Sequence, residues 1–492
     1  MPRQLHSVDR LFLDIENAET SAGITAVYFY DPSGLPNGTF SLDLIVEYLD
    51  QIMKTIPVMC GKLYRTPLDL DNPYLVEQQD FHARDHIKHY QMQNSTCMKE
   101  LSKVTNQYQY AKIDTERPLW DAQIVSGINI KTLPKNAFAI AIKLHHAIAD
   151  GMTAMDLTAK IHGLKPLGEP VVLPKPEVIE VGGLFGMATR IISSNLNQSI
   201  KMLQPLTKVG PQLGVKLMSH AVDSITDRLS APQPTRFAKP ISQDRVWGYT
   251  GFELSKLKKM QKVLPSCTLN DLACSIISGG IREYLEYKNE TPQDYIKALA
   301  PQSTRTQQQQ SDAGNEVNIM SLEIPIHIAD PLEALVAVNK SSTNKKNDQK
   351  KIGPENVSEL AKSLPPALLS YLSLLSGKST IANLVPNALG NIIISNVPGP
   401  QMQMNMLGAK MTNFTGIAPI MDGIGAFFAV VSYNGTLNIS VSSCAEIIEE
   451  PKYFIDCLNR SYERLEAAIE NLYQPYLAQQ NNEQATLTTS NS

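Results

Sequence analysis

The stretch "NAFAIAIKLHHAIADGM", Asn136 to Met152, decides how the rest of the chain is read. It begins as a short apolar run of β-compatible residues and fits a buried strand over Asn136–His146. If the strand continues to its end, alternation places Phe138, Ile140, Ile142, Leu144 and His146 on one face. Ala137, Ala139, Ala141, Lys143 and His145 take the other. The adjacent histidines therefore cannot both enter one cavity: one can be a base while its neighbour packs or orients. A histidine at a strand end suits general-base work, because its unperturbed pKa of roughly 6.5 leaves it mostly neutral at cytoplasmic pH. Asp150 can brace the turn by pairing with an arginine, or it can orient a histidine. Gly151 permits a sharp bend or a close backbone approach. The pattern by itself leaves a second reading open, in which both histidines are core or metal-binding residues.

Composition narrows the class. A chain of 492 residues exceeds one ordinary core, so its length favours two to four domains or two large ones. A hydrophobic fraction of 43% and a charged fraction of 19% fit a folded soluble protein. The net charge of −4 gives no reason to expect a nucleic-acid partner. Cys60, Cys97, Cys267, Cys274, Cys444 and Cys457 form no C-x-x-C pair. They read as small buried hydrophobes in a reducing compartment, not as a disulfide framework. Asp9, Asp14 and Glu16 interrupt the apolar residues of "MPRQLHSVDRLFLDIE", so this is not a signal peptide. No apolar run approaches the ~20 residues that span a bilayer. These features predict a cytoplasmic protein that at most lies on a membrane.

The texture along the chain predicts an α/β (α+β) architecture in two halves. Residues 1–165 form the first and hold a helix over "SLDLIVEYLDQIMKTI" (Ser41–Ile56), the strand above, and a helix "MTAMDLTAKIHGL" ended by Gly163. Residues 166–240 read as a proline-rich linker with one or two helices, bounded by "KPLGEPVVLPKP" and "APQPTRFAKP". Residues 241–478 form the second half. It has a strand at "VWGYTGFEL", an amphipathic helix at "SKLKKMQKVL", a strand in "NIIISNVPGP" and a hairpin around Asn434-Gly435. "SSTNKKNDQKK" reads as a solvated helix face or loop, and residues 479–492 as a disordered tail.

Four further segments are candidates for chemistry. In "CTLNDLACSIISGGIREYL" (Cys267–Leu285), Thr268 and Asp271 approximate a capping box. Asn270 then falls in the first helical turn, beside unpaired N–H groups that can stabilise developing negative charge. An ordinary helix cap is the plainer reading. In "APQSTR", Ser303 and Arg305 can point into a cleft, and Arg305 is a candidate partner for Asp150. "SNVPGP" (Ser395–Pro400) is a rigid turn that either walls a channel or only redirects the chain. His82, His86 and His89 in "FHARDHIKHY" read as a surface cluster rather than a metal site. Phosphate loops, dinucleotide fingerprints and G-x-S-x-G elbows are absent from the sequence.

Together these segments resemble the bacterial bifunctional wax ester synthase/acyl-CoA:diacylglycerol acyltransferase family. The resemblance covers nearly the whole chain, from "LHSVDRLFLDIE" to a helix ending near Leu477. H-H-x-x-x-D-G matches His145, His146, Asp150 and Gly151. P-L-W matches Pro118, Leu119 and Trp120, and the N-D helix start matches Asn270 and Asp271. P-x-S-x-R matches Pro301, Ser303 and Arg305, and a G-N pair matches Gly314 and Asn315. N-V-P-G-P matches Asn396 to Pro400, including Pro398 and Gly399. H-H-x-x-x-D-G alone is shared with chloramphenicol acetyltransferases, plant acyltransferases and peptide-synthetase condensation domains, whereas the ordered set is far more specific. The plant-type D-F-G-W-G is absent. Many family members carry M-H-V-G where this chain has "SAGI" (Ser21–Ile24), and that loop is assigned no catalytic role.

The resemblance implies two chloramphenicol acetyltransferase-like halves with the active site in a channel at their interface. It implies His146 as the base, with His145 and Asp150 mainly structural. The implied reaction is acyl transfer from a fatty acyl-CoA to a long-chain fatty alcohol or a diacylglycerol, with Asn270 as candidate oxyanion donor. No metal, no other cofactor and no covalent acyl-enzyme is needed. The lipid substrates imply peripheral association with the inner face of the cell membrane or with lipid inclusions, and Leu184–Leu203 reads equally as a surface-lying helix or as an internal interdomain one. The rival enzyme is a condensation-type acyltransferase using an amine or another alcohol. The rival non-enzyme is an inactive paralogue that coats lipid droplets.

Overall fold

The computed structural model describes residues 3–14, 16, 21–65, 71–78, 80–149, 151–162, 235–264, 266–303, 317–352 and 390–489. In the first half, the elements are β1 (Arg3–Gln4), α1 (Ser7–Asp14), β2 (Gly23–Asp31), α2 (Leu42–Lys54), β3 (Gly61–Tyr64) and β4 (Tyr74–Glu77). They continue with β5 (Ile87–Gln91), α3 (Met98–Tyr110), β6 (Trp120–Ile128), β7 (Ala137–His145) and α4 (Gly151–Ile161). The second half opens with β8 (Arg245–Glu253), α5 (Leu254–Met260), α6 (Leu269–Tyr287), β9 (Ile296–Ser303), β10 (Val317–Ile324) and α7 (Pro331–Ile352). It ends with β11 (Ile392–Pro398), β12 (Asn405–Met406), β13 (Ala409–Ile417), β14 (Ala426–Tyr433), β15 (Thr436–Cys444) and α8 (Pro451–Thr489).

The apolar run of the opening stretch becomes β7, flanked on both sides by antiparallel neighbours, β2 and β6. Every residue of β7 is buried, which is why its sequence is a near-continuous apolar run. Phe138, Ile140, Ile142 and Leu144 enter one core with Tyr28, Leu49 and Trp120. Ala137, Ala139 and Ala141 enter another with Leu101, Val104 and Tyr108 of α3. The small alanine face lets that helix lie close to the sheet.

The first large sheet has six strands in the order β12-β13-β2-β7-β6-β5. The second also has six, in the order β10-β9-β11-β14-β15-β8. A small three-stranded sheet, β1-β4-β3, stands apart. The two halves are not closed units. Residues 405–417, assigned by sequence to the second half, pair through β13 with β2 from Lys410↔Asp31 to Ile417↔Thr25. Without that strand β2 would be an edge with unpaired backbone groups. The halves also meet at α3 and β8, where Ser102 Oγ donates to Trp247 O at 2.7 Å and Asn106 Nδ2 donates to Arg245 O at 3.2 Å.

Asn434 and Gly435 turn the β14–β15 hairpin with φ of 43° and 83°, the left-handed pair that a two-residue turn of this kind requires. "SSTNKKNDQKK" lies within α7. Ser41 occupies the N-cap of α2 without a side-chain capping bond. The stretch read as a disordered tail instead continues α8 through Thr489. No glycine or proline interrupts residues 479–489, so nothing in the sequence stops the helix there. The cysteines are free thiols, all but the half-buried Cys97 being buried. The linker helix candidate Leu184–Leu203 and the helix stop Gly163 lie outside the described residues. No helix among the described residues is long and apolar enough to cross a membrane.

Candidate active site

The strand carrying the histidines stops at His145, and a turn follows in which Ile148 N donates to His145 O at 3.0 Å. Both histidines are held by their backbones, to opposite neighbours. His145 N donates to Leu119 O at 3.0 Å, and His146 N donates to Ala22 O at 2.9 Å. The site is thus set at the end of the central strand by β6 on one side and the segment before β2 on the other. The "SAGI" loop, though assigned no chemistry, supplies Ala22 O to this clamp.

The two rings then diverge, as alternation predicts. His145 is completely buried. Its Nδ1 accepts from Ala147 N at 3.1 Å, which puts the ring proton of the neutral form on Nε2. That nitrogen faces Glu16 Oε2 at 3.7 Å, too long for a direct hydrogen bond but close enough for charge–dipole attraction. Burial works against the Glu16 carboxylate, yet His145 and the Ala22 N–H hold its pKa below the ordinary value. His146 is only half-buried. Its ring stacks on Phe12 with centroids 4.0 Å apart and planes within 12°. Glu16 and Phe12 were not singled out by sequence reasoning. Their signal in the sequence is slight, Phe12 being one of four apolar residues of "LFLDIE" and Glu16 one of its two acids.

The P-L-W residues build the frame. Trp120 is fully buried, donates from Nε1 to Met59 O at 2.7 Å and stacks on His86 with centroids 4.6 Å apart. Leu119 supplies the carbonyl for His145, and Pro118 bridges to Lys62. On the His145 face, Lys143 is buried and its Nζ donates to Tyr108 O at 2.9 Å and Ala111 O at 2.6 Å. It therefore satisfies carbonyls left over at the end of α3. Burial pulls the Lys143 pKa down to about 8, with the Asp121 charge opposing. Asp121 lies directly across the ladder. Burial raises its pKa, against the Lys143 and Arg117 charges.

The N-D pair separates into two roles. Thr268 and Asp271 form a complete capping box at the start of α6. Asp271 is fully buried and accepts from Thr268 N, Thr268 Oγ1, Asn339 Nδ2 and Ser342 Oγ, all between 2.7 and 3.0 Å. Asn270 stays half-exposed in the first turn. Its Oδ1 accepts from Asn396 Nδ2 at 3.4 Å, and its Nδ2 faces Cys274 Sγ at 3.8 Å. The structure thus brings N-D and N-V-P-G-P together. Within the latter, Pro398 ends β11 opposite Ser432, and a Cβ at Gly399 would stand 2.2 Å from Ser432 O. Only glycine fits that turn.

Other candidates go elsewhere. Pro301 and Ser303 belong to β9. Asp150, Arg305, Gly314 and Asn315 lie outside the described residues, and Gly151 begins α4. The histidines of "FHARDHIKHY" do not form a surface cluster. His86 is buried with Nδ1 2.8 Å from Trp120 O, because an aromatic wall is available there, while His82 is exposed and His89 Nε2 lies 2.8 Å from Ser126 Oγ. No group of three or more metal-ligating side chains occurs among the described residues. A cavity of about 260 Å³ lies between α6 and α8, lined by Arg282, Glu283 and Arg464. It contains neither His146 nor Asn270.

The wax ester synthase/diacylglycerol acyltransferase catalytic domain is matched by residues 5–273, and the C-terminal domain of the same family by residues 313–466. The chain belongs to that family. It is 24% identical over 491 residues to the O-acyltransferase WSD of Acinetobacter baylyi, covering 95% of this chain and 98% of that one. It is 24% identical over 453 residues to a Mycobacterium tuberculosis protein named as a diacylglycerol O-acyltransferase, covering 91% and 87%. Its fold is similar to that of the wax ester synthase/diacylglycerol acyltransferase from Marinobacter aquaeolei VT8, with a TM-score of 0.66, 18% identity and coverage of 95% and 100%. It is also similar in fold to a trichothecene 15-O-acetyltransferase from Fusarium sporotrichioides, with a TM-score of 0.60, 10% identity and coverage of 95% and 94%.

Proposed function

We propose that this O-acyltransferase moves a fatty acyl group from acyl-CoA to the hydroxyl of a fatty alcohol or a diacylglycerol, with His146 as general base. The observation that carries the assignment is the difference between the two histidines. His145 has no exposed surface and both its ring nitrogens face protein, whereas His146 is half-buried and accessible. A base must reach its substrate.

The acceptor hydroxyl gives its proton to His146 as its oxygen bonds to the thioester carbonyl carbon. The carbonyl oxygen becomes an oxyanion, and we assign Asn270 as its donor. The tetrahedral intermediate collapses by breaking the C–S bond, and the imidazolium returns the proton to the departing CoA sulfur. The ester leaves and the enzyme is unchanged, so neither metal nor further cofactor enters the scheme. Orientation of the two substrates supplies much of the rate. The water-insolubility of the acceptors favours work at a membrane or lipid-inclusion surface.

The test is release of CoA by the purified protein from a long-chain acyl-CoA, with a fatty alcohol, a diacylglycerol or an amine as acceptor. His146→Ala should lower the rate by roughly 10²–10⁴. Near-normal turnover of this variant would falsify the assignment. Transfer to the amine alone would overturn the choice of acceptor.

A further inference from the structure

The first helix contributes to no motif, yet its Phe12 covers one face of the His146 ring. Resting on the reading of His146 as base, we propose that Phe12 is a positioning residue for that imidazole. A parallel ring with its centroid 4.0 Å away restricts rotation of the His146 ring about its Cβ–Cγ bond, because turning would drive an edge of the imidazole into Phe12. The backbone of His146 is already held by Ala22 O, and the stack adds a restraint on the ring itself. The face of an aromatic ring also attracts a cation within about 6 Å. Phe12 therefore suits the neutral imidazole before proton transfer and the imidazolium after it.

Phe12 can do this because α1 is itself anchored. Leu5 N donates to Pro73 O at 2.8 Å. The buried Arg10 donates from one Nη to Asp71 O at 3.0 Å and from Nε to Asp14 at 3.3 Å. Leu5 and Leu13 enter the same core as Phe138 and Leu144, and Phe12 packs at its margin. The same segment brings Glu16 to His145. One short stretch thus meets both adjacent histidines, each through a different side chain.

The experiment compares Phe12→Leu and Phe12→Met, which keep apolar volume without a ring, with Phe12→Tyr, which keeps the ring. Steady-state CoA release and melting temperature are measured for each. The ringless variants should lose about tenfold or more in kcat, the size of effect expected from a misplaced reacting group. Their KM values should stay within about twofold, and Phe12→Tyr should restore kcat. In a His146→Ala background, Phe12→Leu should cause no further loss, because the residue acts through His146. Unchanged kcat in both ringless variants overturns the proposal, as does an effect on KM alone. A tyrosine variant as slow as the leucine one, or an additive loss in the His146→Ala background, overturns it too. If Phe12→Leu fails to fold, Phe12→Met carries the same comparison. Failure of the base assignment is separate, since it shows as activity in His146→Ala itself.

Discussion

His162, on the segment that follows the histidine turn, shows how burial sets protonation at the scale of one residue. Its Nε2 lies 2.6 Å from the Tyr30 hydroxyl and its Nδ1 2.6 Å from Thr158 O. A neutral ring with its proton on Nδ1 satisfies both, donating to the carbonyl and accepting from the hydroxyl. Burial pushes its pKa from 6.5 down to about 4. Between those values the unfolded chain binds more protons than the folded one. Stability should therefore fall as pH drops from 6.5 to about 4 and lose no more through this group below that. The full effect is roughly 3 kcal/mol. Urea denaturation across this range should show a steeper pH dependence for the wild type than for His162→Gln. Parallel curves would refute the assignment. The sequence shows His162 near the end of a helix, but nothing in it says that Tyr30 stands opposite.

At the scale of elements, the start of α6 joins local and distant chemistry. The Thr268–Asp271 spacing made the capping box legible, because a cap is made within a few residues. Asn339 and Ser342, the other donors to Asp271, are 68 and 71 residues away on α7 and carry no local signal. Asp271→Ala would leave the buried Ser342 hydroxyl and the half-buried Thr268 and Asn339 donors without their acceptor and should cost roughly 3 kcal/mol. Thr268→Ala removes a cap and should cost only about 1 kcal/mol. Equal losses in chemical denaturation would mean that the contacts to α7 contribute little. The same contrast runs through α1. In the sequence its residues serve only to exclude a signal peptide and to start the family resemblance, while its meeting with His145 and His146 depends on where the β1-β4-β3 sheet holds it.

At the scale of the molecule, the exchange of β12 and β13 ties the halves together. Residues 1–240 expressed alone would expose β2 as an edge and should be aggregation-prone. Co-expression with residues 241–492 should restore soluble protein and acyl transfer. A first half that is monomeric and cooperatively folded by itself would show that the donated strand is dispensable. The α/β class, the central strand and the β14–β15 hairpin could be read in advance, since each depends on periodicity or turn chemistry within one segment. The strand donation could not, because β13 has the same alternating pattern whichever sheet it joins.

The local pattern of the chain dictated that the two histidines part, because successive side chains of an extended backbone point to opposite sides and the backbone hydrogen bonds carry that alternation one residue past the strand, to His146. It also determined the cap on α6, the left-handed hairpin turn and, through its ordered motifs, the acyltransferase family. Packing chose which groups meet them: Glu16 beside His145, Phe12 on His146, Asn396 on Asn270, and β13 against β2. Those contacts join segments far apart in the chain. Local propensity places each segment in a helix or strand, but packing chooses its neighbour.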